Sequence, residues 1–158
     1  MATVYIETTV IGYLTARSSG VVIFLARQQL TRQWWDDQRG TYDLYTSQLV
    51  LDEAGAGDPT AAQERLALLD GMPLLDILHP DVSIVADRLL TEHLLPEKAA
   101  ADARHVAVAT AFGVNYLLTW NCKHIANAET LPRIYSTLRK LGFEPPLIVT
   151  PEEFSGNV

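Results

Sequence analysis

The sequence predicts an α/β fold in which helices flank a central, mostly parallel sheet of about five strands. Apolar and β-branched runs of four to seven residues alternate with longer segments of helical periodicity. Several of these runs are apolar on both faces, which is typical of buried parallel strands. The 158 residues contain no repeat and no linker rich in Gly, Pro or Ser, so one domain over residues 1–158 is expected.

Five strands are expected, each from a run rich in apolar, β-branched or aromatic residues. The first strand is Thr3–Ile6, with the sequence TVYI. The other four are expected at residues 42–47, 73–78, 114–120 and 146–149.

Helices are expected between these strands, with capping residues and helix breakers at their ends. Ser18 and Ser19 are predicted to cap the second helix, and Asp58 is predicted to cap the fourth. Gly113 and Gly142 are predicted to end two later helices. The helices are expected at residues 8–16, 21–38, 48–54, 58–71, from Pro80 onwards, 99–112 after a start near Pro96, and 131–141.

Composition indicates a cytoplasmic protein with no membrane partner. Apolar residues make up 48% of the chain and charged residues 20%, which is ordinary for a globular protein. No run approaches the roughly 18 apolar residues that a membrane span needs. Cys122 is the only cysteine, so no intrachain disulfide can form, and the N-terminus lacks the basic segment of a signal peptide.

The net charge of −7 is opposite to that of most proteins that bind nucleic acid through phosphate contacts. An acidic chain can still act on nucleic acid when its carboxylates hold a cation that meets the phosphate. The positions of the acids therefore matter more than the charge sum.

Four polar residues lie where a buried carboxylate or amide would be costly without a partner. Glu7 directly follows the first strand and Asn121 follows the fourth, and ligands of open α/β sheets bind beyond the carboxyl ends of the strands. Glu53 lies on the apolar stripe of its short helix, and Asp102 lies on or beside the inward face of an alanine-rich helix. Their oxygens are candidate ligands for a hard cation such as Mg²⁺ or Mn²⁺.

Each of these residues also has a structural explanation. Glu7 can cap the helix that follows it, and Glu53 can be a solvated acid near a helix end. Asp102 can pair with Arg104 or His105 of its own helix, and the asparagine can be a turn residue. Spacing alone does not choose between these explanations and a cation site.

Three segments in this order resemble the PIN domain, a family that includes the toxins of VapC-type toxin–antitoxin pairs. They are VYIETTVIGYL near the N-terminus, SQLVLDEA in mid-chain and ADARHVAVATAFGVNYLLTWN in the C-terminal half. The resemblance covers residues 3–154, and residues 102–121 are its most specific part. It implies a three-layer PIN-like fold.

The resemblance further implies a metal-dependent endoribonuclease that hydrolyses phosphodiester bonds of single-stranded RNA. By position, Glu7 and Asp102 match acids that hold Mg²⁺ or Mn²⁺, and Glu53 and Asn121 complete the catalytic set. Two residues depart from the family's pattern, since Glu7 is one methylene longer than the usual Asp and Asn121 is neutral, but both keep an oxygen ligand. Thr119 matches a hydroxyl residue near the site. The resemblance also implies a small antitoxin protein as partner and a homodimer.

Candidate contact surfaces lie outside this set. Arg17, Lys123 and His124, together with Arg133, are candidates for a basic rim that contacts RNA phosphates, the alternative being ordinary solvated cations. The Trp34–Trp35 pair is interpreted as core or as a dimer contact rather than a base-stacking platform. The same region is one candidate surface for the antitoxin.

Two other functions are compatible with the sequence. One is a catalytically idle PIN-fold module that binds RNA or protein, in which the acids only stabilise the fold. The other is a Mg²⁺-dependent phosphatase-type enzyme, which needs an aspartate nucleophile at a strand end. The first strand ends in Glu7, which argues against the phosphatase.

Overall fold

The structure, a computed structural model, describes residues 1–155 and contains a five-stranded parallel sheet. The strands are β1 (Thr3–Ile6), β2 (Asp43–Ser47), β3 (Leu74–Leu75), β4 (Tyr116–Leu118) and β5 (Leu147–Val149). Their order across the sheet is β3-β2-β1-β4-β5, and every neighbouring pair is parallel. The predicted α/β class and the predicted number of strands are confirmed.

Seven α-helices in residues 1–155 flank the sheet, which makes this a three-layer α/β fold. They form two contacting groups, α1 to α4 and α5 to α7. No helix of the described part of the chain is long and apolar enough to cross a membrane. The helices are α1 (Thr8–Thr15), α2 (Val22–Asp37), α3 (Gln48–Ala54), α4 (Pro59–Leu69), α5 (Pro80–Thr91), α6 (Ala100–Ala111) and α7 (Leu131–Lys140).

Strand β1 is the central strand of the sheet and supplies much of the core. Val4, Tyr5 and Ile6 are fully buried, as expected for a strand with a neighbour on each side and helices on both faces. Trp34 and Trp35 are buried as well, which confirms their interpretation as core residues. Their side chains therefore cannot supply the antitoxin surface suggested for this region.

Two strands are shorter than predicted because turns close them early. Strand β3 ends after Leu75, since the Asp76 carboxylate accepts a hydrogen bond from the Leu78 backbone N–H at 2.9 Å and starts a turn. Strand β4 ends at Leu118, where the Thr119 hydroxyl accepts the Asn121 backbone N–H at 2.9 Å. Residues 73–78 and 114–120 are thus only partly strand.

The helix ends agree with the predictions to within a few residues. Gly113 and Gly142 follow α6 and α7 with φ of +63° and +95°, a backbone conformation that favours glycine after a helix. The predicted serine cap of α2 was wrong. The Ser19 hydroxyl accepts the Val21 backbone N–H in the preceding turn, and the first turn of α2 has no side-chain cap.

Candidate functional site

The candidate site lies where the strand order changes direction. From β1 the chain proceeds to β2 and β3 on one side, and it later returns to β4 and β5 on the other side. The carboxyl ends of β1 and β4 therefore border the crevice in which open α/β sheets bind ligands. Glu7 continues the pairing there, because its backbone N–H donates to the Leu118 carbonyl at 3.2 Å.

Glu7 is buried at this edge and also caps helix α1. Its Oε2 accepts hydrogen bonds from the Thr9 backbone N–H at 2.9 Å, from the Thr9 hydroxyl and from the Thr119 hydroxyl at 3.0 Å. Burial raises the pKa of the Glu7 carboxyl above its ordinary value, although His105 and the Thr9 and Thr119 donors act to lower it. Glu7 can therefore cap α1 through Oε2 and still offer Oε1 to a cation.

Glu53 occupies the last turn of α3 and is held from two sides. Its Oε1 accepts the Thr8 hydroxyl at 2.9 Å and contacts His105 Nε2 at 2.5 Å. Partial burial acts to raise the pKa of the Glu53 carboxyl. The hydrogen bond and the electrostatic attraction of His105 outweigh that effect, with help from Thr8, so the pKa lies below its ordinary value. The side chain keeps 41% of its surface exposed, so the carboxylate is still reachable from solvent.

Asp102 lies in the first turn of α6 with its side chain 21% exposed. Its Oδ2 contacts His124 Nδ1 at 3.1 Å. The alternative pairing with Arg104 or His105 is not observed, since His105 instead faces Glu53 and Tyr5. The partner of Asp102 therefore comes from the loop after β4, not from its own helix.

Thr119 and Asn121 tie the end of β4 to Glu7. The fully buried Thr119 hydroxyl donates to Glu7 and accepts the Asn121 backbone N–H. The side-chain oxygen of Asn121 accepts the His124 backbone N–H at 3.0 Å, so it forms a turn, as the structural alternative predicted. Through this turn, Asn121 also places His124 against Asp102.

The predicted basic rim is only partly formed. His124 lies against Asp102 with 20% of its side chain exposed, which makes it a partner of a site acid. Arg17 and Lys123 are exposed, and within residues 1–155 neither forms an ion pair. Their predicted contact with phosphate remains a prediction.

The three carboxylates share a pattern that bears on cation binding. Each uses one oxygen for the hydrogen bonds described above, and the other oxygen accepts none from residues 1–155. The free atoms are Oε1 of Glu7, Oε2 of Glu53 and Oδ1 of Asp102. No three His, Cys, Asp or Glu side chains of the described chain are close enough to surround an ion. A Mg²⁺ ion here would therefore have no more than two of these described side chains as ligands and would take its other ligands from water, a common form of Mg²⁺ site.

Sequence reasoning did not single out the donors that hold the acids. Thr8 and Thr9 directly follow Glu7, and each bonds a different glutamate. His105 follows Asp102 by three residues and so shares its helix face, but it was considered only as a partner of Asp102. The run Glu7-Thr8-Thr9, an acid followed by two hydroxyls at a strand end, was the available signal.

Comparison with protein-family models, with curated proteins and with solved structures found no match for this chain.

We expect Asn121→Asp to raise the affinity of the protein for Mn²⁺ by on the order of tenfold. The new Oδ1 can keep the hydrogen bond to His124, and the second oxygen replaces a neutral amide with negative charge near the site. Calorimetric Mn²⁺ titration measures the effect. Asn115→Asp is the matched control, because the Asn115 side-chain oxygen also only accepts hydrogen bonds, from the Thr3 backbone N–H and hydroxyl, and lies at the other end of β4. Equal affinities for parent and Asn121→Asp would restrict Asn121 to the turn.

Proposed function

We propose that this chain is a divalent-metal-dependent endoribonuclease of the PIN type that hydrolyses single-stranded RNA. The observation that carries the proposal is the pattern of the acids. Glu7 and Glu53 are each held through one oxygen beside the crevice of the sheet, and Asp102 is held in the same way by His124. The second oxygen of each of these acids is available to a cation or a water.

In this proposal, Glu7 and Asp102 hold the ion through their free oxygens. When bound, the ion supplies positive charge that lowers the pKa of a water and offsets the negative charge that builds up on the phosphate. Thr9 and Thr119 keep the Glu7 carboxylate from rotating, and His124 does the same for Asp102. The net charge of −7 does not conflict with this function, because the ion contacts the phosphate in place of a basic protein surface.

Glu53 has a different role in this proposal, which is to orient the attacking water. Its pKa is lowered, so the carboxylate is ionised near neutral pH and accepts a hydrogen bond from water through Oε2. Its 41% exposure leaves room for that water. The exposed Arg17 and Lys123 are proposed to contact the phosphates on either side of the cleaved bond.

A second function is favoured by one observation. Glu7 caps helix α1, which gives this buried acid a structural use without catalysis. A PIN-fold module that binds RNA or protein without cleaving it would show the same cap. The two functions differ in whether the protein cleaves RNA when a divalent ion is supplied.

The resemblance to toxins also leads to proposals about the partners of the protein and its location in the cell. We propose a cytoplasmic protein that forms a homodimer and is inhibited by a small antitoxin protein. Val21, Val22, Ile23 and Phe24 expose between 44% and 82% of their surface at the start of α2. Exposed apolar residues that adjoin in this way often mark a contact with another protein, which supports the partner proposal.

The proposal is tested by incubating the purified protein with assorted end-labelled single-stranded RNAs, with Mg²⁺, with Mn²⁺ and with EDTA. We expect cleavage with either ion, no cleavage in EDTA, and recovery when excess Mn²⁺ is added. Because water is the attacking group, the products should carry 5′-phosphate and 3′-hydroxyl ends.

An Asp102→Asn protein purified in parallel controls for contaminating ribonucleases. Cleavage that continues undiminished in EDTA would contradict the metal mechanism. Products with 2′,3′-cyclic phosphate would instead indicate attack by the RNA 2′-hydroxyl through acid–base catalysis. RNA binding without cleavage under all conditions would favour the idle module.

A further inference from the structure

A chain of buried polar side chains leads from Ser47, at the carboxyl end of β2, to Glu53. The Ser47 hydroxyl lies 2.7 Å from the Tyr5 hydroxyl, and the Tyr5 hydroxyl lies 2.8 Å from His105 Nδ1. His105 Nε2 then contacts Glu53 Oε1 at 2.5 Å. Ser47, Tyr5 and His105 are fully buried, so both ring nitrogens of His105 have their partners inside the protein.

The simplest explanation is that His105 is a core histidine whose polar atoms are satisfied. The surroundings of the residue argue for more than that. Helix α6 fills the core around it with alanine and valine, namely Ala103, Val106, Ala107, Val108 and Ala109, all fully buried. The ring escapes the cost of an unpaired buried polar group only because Tyr5 and Glu53 bond both of its nitrogens, whereas an apolar residue would need neither partner.

Glu53 does not need the histidine for its own solvation. Its side chain is 41% exposed, and water alone would satisfy its oxygens. An unrestrained glutamate side chain retains considerable rotamer freedom. The bonds from His105 and Thr8 to Oε1 restrict that freedom and leave Oε2 without a hydrogen-bond partner among residues 1–155.

Ser47 supplies an independent indication. It occupies the N-cap position of α3, the helix that carries Glu53, where a serine hydroxyl normally bonds a backbone N–H of the first turn. Here the hydroxyl makes no such bond and contacts Tyr5 instead. Helix α3 therefore lacks a side-chain cap, and the Ser47 hydroxyl instead completes the hydrogen-bonded chain behind His105.

We propose that His105 is the positioning residue of Glu53, which it holds through Nε2 so that Oε2 is presented to the attacking water, a role that rests on the nuclease function proposed above. Tyr5 and Ser47 fix the orientation of the imidazole from behind.

Two substitutions of His105 test its contact with Glu53 and its contact with Tyr5 separately. In His105→Gln, the side-chain amide can reach the place of Nε2 and keep a donor to Glu53. In His105→Asn, the amide lies near the place of Nδ1, keeps the contact with Tyr5 and loses the donor to Glu53. We expect RNA cleavage with Mn²⁺ to stay within about threefold of the parent for Gln and to fall about 10–100-fold for Asn, the usual range for residues that orient a site group.

Thr110→Val is the matched control for disturbance of the core. Thr110 is buried on the same helix, and its hydroxyl bonds only the Val106 carbonyl. We expect this variant to cleave RNA at the parental rate. A second readout is independent of activity: the Nε2 proton of His105, protected from solvent, should appear in the NMR spectrum of ¹⁵N-histidine-labelled protein and should shift in Glu53→Gln.

The outcomes separate this inference from the proposed function. If the parent protein cleaves RNA and the Gln and Asn variants lose equal activity, or if the Nε2 proton does not respond to Glu53→Gln, His105 is only a core residue and the nuclease function stands. If the parent protein cleaves no RNA with either ion, the nuclease function fails and the positioning role fails with it. Retention of activity in Gln together with loss in Asn supports the inference.

Discussion

Glu7→Gln is expected to reduce RNA cleavage about 10²–10³-fold, the effect of losing several kcal/mol of stabilisation of the developing charge. The amide oxygen of glutamine can accept the bonds from Thr9 and Thr119, so the cap of α1 is kept. The amide nitrogen then takes the place of the free Oε1, where it cannot bind a cation. Activity is measured with end-labelled RNA and saturating Mn²⁺.

The same substitution is expected to make the protein more stable near neutral pH. Because the pKa of Glu7 is raised in the folded state, its contribution to folding is complete below its ordinary value of 4.5 and is lost as the pH rises through the raised pKa. Glutamine does not ionise and suffers no such loss. The melting temperature of the variant should exceed that of the parent near pH 7, and the difference should vanish below pH 4.5.

Glu64→Gln is the matched control, since Glu64 is an exposed residue of α4. It should change neither the cleavage rate nor the melting temperature at any pH. A Glu7→Gln protein that is less stable than the parent near neutral pH would contradict the raised pKa. A variant that is more stable and fully active would leave Glu7 with the capping role alone.

Asp102→Asn is expected to cause a loss of cleavage of similar size, about 10²–10³-fold, with little change in melting temperature. Asparagine keeps an oxygen that can accept the bond from His124, so the contact at 3.1 Å is maintained. What the variant lacks is the negative charge on the free Oδ1. Its affinity for Mn²⁺, measured by calorimetry, should fall together with its activity.

The control for this variant is Asp87→Asn, which changes an exposed aspartate of α5. It should leave cleavage, Mn²⁺ affinity and melting temperature unchanged. Full activity in Asp102→Asn would mean that Asp102 serves to hold His124 and that the ion is held elsewhere. A large loss of stability would instead show that the charge of Asp102 supports the fold.

Most of the fold followed from local patterns. Gly113 and Gly142 mark the ends of α6 and α7 because a residue with positive φ terminates a helix wherever the helix lies. Local patterns did not predict where β3 and β4 end, because these ends depend on turns formed by Asp76 and Thr119. The burial of Trp34 was predicted from the general rarity of exposed tryptophan pairs, not from any contact that the sequence reveals.

The sequence predicted the candidate site in outline only. The positions of Glu7 and Asn121 after two strands indicated the edge of the sheet. Periodicity predicted that Glu53 and Asp102 face inward, which was wrong for Glu53, since its side chain is 41% exposed, whereas that of Asp102 is 21% exposed. The hydrogen bonds that hold these acids could not be predicted. Glu7 and Thr119 are 112 residues apart in the chain, and Glu53 and His105 are 52 apart.

The sequence by itself determined the order of strands and helices and the residues that carry oxygen at the strand ends, because hydrophobic period, capping and glycine act over a few neighbouring residues. Only the tertiary structure decided that Glu7 bonds Thr119, that Glu53 bonds His105 and that Asp102 bonds His124. These contacts exist because β1 lies between β2 and β4, which brings distant segments to one edge of the sheet. The chemistry proposed for this protein depends on which carboxylate oxygen each contact leaves free, and that choice is made by packing between segments far apart in the chain.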